Sequence, residues 1–89
     1  MKKKIAIIVR DRKHEALRMA VGATLSNDEV SVFIMDEKLE TDYDINVNFQ
    51  MLSDLKVKIY SNNPENGYEQ KSTEDIADML TEYDIVIPY

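Results

Sequence analysis

Apolar positions along this chain fall into two rhythms, and the change from one to the other marks out its elements. Ile5-Ala6-Ile7-Ile8-Val9 is an unbroken apolar run, the pattern of a strand covered on both faces. Five mostly charged residues follow, Arg10-Asp11-Arg12-Lys13-His14. The spacing then becomes helical and predicts a helix capped by Asp11 that runs through Ser26. On a wheel turning about 100° per residue, Glu15, Arg18, Gly22 and Ser26 share one narrow stripe. Ala16, Leu17, Met19, Ala20, Val21, Ala23 and Leu25 take the remaining arc, roughly two thirds of the circumference, where a helix lying on a sheet needs about a third. Such a helix is either a tightly covered core element or one that also meets another subunit. Gly22 reads as a close-packing position within it.

Asn27-Asp28 makes a turn, and Glu29 to Met35 (EVSVFIM) reads as a second strand with Val30, Val32 and Ile34 facing one way. Asp36 to Asp44 is an acidic loop. Ile45 to Leu55 fits both rhythms: Ile45, Val47, Phe49 and Met51 alternate, while Ile45, Phe49, Leu52 and Leu55 follow a helical stripe. Helix is the better reading, because a crossover is due before the next strand. That strand is Lys56 to Tyr60 (KVKIY), with Val57 and Ile59 inward and Lys56 and Lys58 opposite. Ser61 to Lys71 holds Asn-Pro and Asn-Gly pairs and predicts a loop with a tight turn. Ser72 or Thr73 caps a last helix with Glu74 and Asp75 in its first turn, where acids suit the helix dipole. Asp84 to Tyr89 (DIVIPY) closes the pattern as a fourth strand.

The sum is a βαβαβαβ chain over residues 1–89: one α/β domain with an open parallel sheet and helices on both faces. The strand order expected is 2-1-3-4, with the first helix alone on one face. A partly open face would suit Lys56 and Lys58, and a partner could complete its cover.

Charge and composition then narrow the function. The chain has 89 residues, a net charge of −6 and no cysteine. An acidic molecule of this kind repels nucleic acid and anionic membranes, and no apolar run is long enough to span a bilayer. Lacking a signal-peptide pattern, it is expected in the cytoplasm. Without cysteine there is no disulfide, thiolate metal site or thiol nucleophile. His14 is the only histidine, and the acids show no ligand spacing, so no metal is expected. Gly22 and Gly67 are the only glycines, so neither phosphate-binding fingerprint is present and no cofactor is expected. At this size, homo-oligomer formation is a natural expectation.

The charge is also unevenly spread. Residues 1–18 carry seven basic and two acidic residues, leaving four basic and fifteen acidic for the remainder. Arg10, Arg12, Lys13 and His14 crowd a helix start, where cations oppose the dipole. One reading is an anion site at the carboxyl ends of the first and third strands, formed by Arg10, Arg12 and His14 with Ser61, Asn62 and Asn63 opposite, and with Asp36 and Tyr89 near the rim. The other is a solvated turn whose charges pair with Asp11, Glu15 and Asp36.

The opening KIAIIVRDRKHEALRMAVGATL, the strand EVSVFIMDE, the segment LKVKIYSNN and the ending STEDIADMLTEYDIVIPY together resemble the DsrE/DsrF-like family of small sulfur-relay proteins. The resemblance covers nearly the whole chain. It implies a parallel α/β fold, assembly into dimers, trimers or hexamers, and, for active members, persulfide transfer between partner proteins. Active members carry a cysteine in the loop after the strand corresponding to Lys56–Tyr60. Here that loop reads Ser61-Asn62-Asn63-Pro64, and a hydroxyl or amide cannot hold a persulfide. The resemblance therefore implies a non-catalytic oligomeric subunit or binding module, with a cysteine-bearing relay protein as a further partner. The alternative is a small enzyme or sensor that binds an anion at the strand ends.

Overall fold

A computed structural model describes residues 3–25, 28–36, 38–40 and 42–89. The predicted helix end at Ser26 and the turn residue Asn27 lie outside these. The elements are β1 (Lys4–Val9), α1 (Lys13–Thr24), β2 (Glu29–Ile34), α2 (Tyr43–Asp54), β3 (Lys58–Ser61), a 3-10 turn (Pro64–Asn66), β4 (Glu69–Gln70), α3 (Thr73–Leu80) and β5 (Ile85–Pro88). All strand pairs are parallel, in the order β4-β3-β2-β1-β5. The domain is thus α/β with an all-parallel five-stranded sheet, and the segment left open between strand and helix, Ile45–Leu55, is helical up to Asp54.

The expected order 2-1-3-4 is not the one formed. β3 pairs with β2, not with β1, and β5 takes the other side of β1. The burial of β2 supplies the reason. Every residue from Val30 to Ile34 is buried, Ser31 included, so this strand needs neighbours on both edges and cover on both faces. β3, with Lys58 exposed, sits nearer the edge, where a polar alternation is tolerated.

The order also decides where the helices go. Two right-handed crossovers stepping the same way place α1 and α2 on one face, and the reversed step to β5 places α3 on the other. α1 is therefore not alone. Ala16, Leu17 and Ala20 pack with Ile45, Phe49 and Leu52 over Ile5, Ile7, Val9, Val30, Val32 and Ile34. The surplus apolar arc of α1 is largely used against α2, and Ala23 belongs to this packing. On the opposite face Phe33 stacks on Tyr60 (centroids 5.2 Å apart) and meets Tyr83 edge-on (5.7 Å), above Ile76 of α3.

Local chemistry accounts for most boundaries. α2 begins at Asp42, whose carboxylate accepts from the Ile45 amide (2.9 Å), and α3 at Ser72, whose hydroxyl accepts from the Asp75 amide (3.0 Å). α1 departs from this. Its N-cap is Arg12, not the predicted Asp11, and no side chain caps it. Gly67 ends the 3-10 turn at φ +74°, which glycine reaches without strain. Gly22 is exposed, and a Cβ there would meet nothing within 4 Å, so the close-packing role expected for it is not the one it has.

Candidate functional site

In a parallel sheet all strand ends lie along one rim, so the loops after β1, β2 and β3 converge there. The switch point expected between the first and third strands is instead between β1 and β5. There the backbone closes on itself: the amides of Arg10 and Asp11 both donate to the Tyr89 carbonyl (3.1 and 3.3 Å).

β2 stands between β1 and β3, and Asp36, two residues past its end, joins their loops. Arg10 Nε lies 3.3 Å from Asp36 Oδ2. Asn62 accepts from the Asp36 amide through Oδ1 (2.6 Å) and donates from Nδ2 to Asp36 Oδ1 (3.2 Å) and Thr73 Oγ1 (3.0 Å). Asn63 donates from Nδ2 to the Asp36 carbonyl (3.0 Å). Asp36 has φ +70°, the left-handed region that acidic and amide residues tolerate better than most, and these bonds hold it there.

Beneath this clasp, Ser61 is buried with its hydroxyl in use. Oγ donates to the Asn63 carbonyl (3.3 Å) and accepts from the Asn63 amide and from Asn66 Nδ2 (3.0 Å each). Asn66 Oδ1 accepts in turn from the Leu39 amide (2.7 Å), and Asn63 Oδ1 caps the 3-10 turn at Glu65 (2.9 Å). Sequence reading missed Asn66 and Thr73. The Asn66-Gly67 pair signalled only a turn, while the Asn66 side chain ties that turn to the loop after β2.

Of the residues singled out from the sequence, Arg10, Asp36, Ser61, Asn62 and Asn63 form one connected cluster. Arg12 and His14 lie outside it. Arg12 faces Glu15 at 3.8 Å, and His14 Nε2 is 2.7 Å from Asp42 Oδ2, so that α1 is tied to the start of α2. The Ile45 amide, then His14, hold the Asp42 carboxyl below its ordinary value. Lys13 Nζ donates to the Glu40 carbonyl (2.9 Å). Beside the cluster lies an open cleft of about 340 Å³ between the ends of β1 and β2, with Arg10, Lys13 and Lys38 as its cations and Asp11 and Glu40 as its acids. Among the described residues no group of three or more His, Asp or Glu is placed to hold a metal ion, and no helix is long and apolar enough to cross a membrane. Comparison with family models, with curated proteins and with solved structures finds no match.

Proposed function

We propose that this chain is a non-catalytic subunit of the DsrE/DsrF-like sulfur-relay type, working by assembly and binding and not by carrying sulfur. One observation carries the reading. The loop where active members of that family bear the thiol is here a closed hydrogen-bonded clasp, with Ser61 buried and Asn62 and Asn63 fixed on Asp36. Such a loop has no nucleophile to offer and no slack with which to present one. The all-parallel α/β sheet agrees with the resemblance as well. The partner is a cysteine-bearing relay protein. After incubation with a persulfurated carrier, the intact mass of this chain should stay unchanged. A stable gain of one sulfur atom would overturn the reading.

A second reading, a small-anion sensor, is favoured by one specific feature: the start of α1, which no side chain caps, opens beside the cleft that holds Arg10, Lys13 and Lys38. Against it, Arg10 already faces Asp36 and Lys13 the Glu40 carbonyl. Titration with sulfate, phosphate and sulfite decides between them. Saturable amide shifts at residues 10–15 and 36–40 support the sensor; unmoved shifts at millimolar anion remove it.

A further inference from the structure

We propose that Asn66 is a self-modification site, an asparagine that loses its side-chain amide to the backbone nitrogen of Gly67, and that the fold is its gate. The proposal is independent of the assembly reading above.

The sequence supplies the reactants. When the amide nitrogen of the next residue attacks an asparagine side chain, a succinimide ring closes, and any side chain on that next residue crowds the approach. Asn66 is followed by Gly67, which has no side chain and the freest backbone of any residue. The other asparagines are followed by Asp28, Val47, Phe49, Asn63 and Pro64, and Pro64 has no N–H with which to react. The step balances without oxidant or reductant. The Gly67 nitrogen gives its proton to base and bonds to Asn66 Cγ. The Cγ–Nδ2 bond breaks, and the amide nitrogen takes up a proton and leaves as ammonia. Water then opens the ring at either carbonyl, leaving aspartate or isoaspartate at position 66.

The fold holds the reactants apart. Asn66 ends the 3-10 turn, where the Gly67 N–H donates to the Pro64 carbonyl (3.3 Å), an acceptor too weak a base to remove that proton. The Asn66 side chain is engaged as well. Oδ1 accepts from the Leu39 amide (2.7 Å), and Nδ2 donates to Oγ of the buried Ser61 (3.0 Å). Swinging the side chain onto the Gly67 nitrogen breaks these bonds and the turn's own bond together, so reaction proceeds through a local opening of the turn. The products cannot rebuild the same ties. An aspartate meets Ser61 Oγ with an acceptor where a donor stood, and an isoaspartate adds a methylene to the main chain inside the turn. Either weakens the tie to Leu39, whose loop lines the cleft beside the clasp. The chemistry of the turn is thereby coupled to the shape of that cleft.

The test is peptide mapping of the full chain, aged in slightly alkaline buffer with and without urea, for isoaspartate and for the mass gain of an amide becoming an acid. In urea Asn66 should react fastest of the asparagines, and in the folded chain its rate should be at least about tenfold lower. Ser61→Ala, in a chain shown folded by circular dichroism, should raise the native-buffer rate at Asn66 at least about threefold and leave Asn46, inside α2, unchanged. Gly67→Ala, read in urea where folding plays no part, should slow residue 66 at least about tenfold. In the aged native chain the Leu39 amide should exchange its hydrogen faster than before. Equal rates at Asn66 with and without urea, a faster asparagine elsewhere in urea, or an unslowed Gly67→Ala chain overturns the proposal. A folded Ser61→Ala chain with no rise at Asn66, or with a rise shared by Asn46, overturns the local gate. An aged chain whose Leu39 amide is as protected as before overturns the coupling to the cleft.

Discussion

Replacing Asn62 by alanine is the sharpest perturbation of the clasp. The substitution removes three side-chain hydrogen bonds: the one accepted from the Asp36 amide at 2.6 Å, and those donated to Asp36 Oδ1 and Thr73 Oγ1 at 3.2 and 3.0 Å. An intramolecular hydrogen bond contributes a net ~0.5–1.5 kcal/mol. The site is at the rim, where water can replace lost partners, so the two donated bonds count at the low end. The backbone bond counts more, since it helps hold Asp36 at φ +70°. The sum is about 1–2 kcal/mol. For a domain this small each kcal/mol moves Tm by about 4–8 °C, so Asn62→Ala should melt roughly 5–15 °C below wild type. Asn62→Asp should be worse at neutral pH, because it sets a second carboxylate against Asp36, and should recover part of the loss in acid. Calorimetry or circular dichroism reads both. In a double-mutant cycle with Asp36→Ala the coupling should be at least about 0.5 kcal/mol. An Asn62→Ala chain melting within about 2 °C of wild type, or a cycle with no coupling, would refute the clasp.

Gly22→Ala, at an exposed interior position of α1, should stabilise the chain by about 0.5–1 kcal/mol in chemical denaturation. Because the Asp42 carboxyl is held below its ordinary value, its contribution is present above about pH 4 and lost as pH falls through the folded-state value. Asp42→Asn, which keeps a capping oxygen, should therefore flatten part of the acid limb of a Tm-against-pH curve. Burial raises the phenols of Tyr60 and Tyr68, so their contribution is present below about pH 10, the unfolded value, and lost as pH rises through the higher folded values. Tyr68→Phe should shallow the alkaline fall in the urea midpoint above about pH 10.

The elements themselves were legible because their signals are local. The apolar run of β1, the Ser72 cap with Glu74 and Asp75 behind it, and the Asn66-Gly67 turn each declare themselves within a few residues. The strand order was not legible in this way, since a parallel crossover reaches either neighbour with the same linker. The clue was in β2, whose five consecutive buried positions demand a central place, set against the lysine alternation of KVKIY. With the third strand placed beside the first, α1 stands alone on its face and its apolar surplus is open between core cover and a partner; much of it belongs to α2. The ambiguity at Ile45–Leu55 is resolved by burial, since Ile45, Phe49 and Leu52 come to one covered side only on a helix. At the strand ends, the polar residues of the cluster are visible in the sequence but not who pairs with whom. Asp36 joins Arg10 to Asn62 and Asn63 because β2 lies between β1 and β3, and that follows from the order alone.

The central claim, that this chain assembles and binds without carrying sulfur, is tested most directly by native mass spectrometry of the chain alone and mixed with a persulfurated cysteine-bearing carrier. The account predicts a dimer at high concentration, a noncovalent complex with the carrier, and no added sulfur on this chain in either. Bare monomers throughout with no complex, or a chain that leaves the mixture heavier by one sulfur atom, would contradict it.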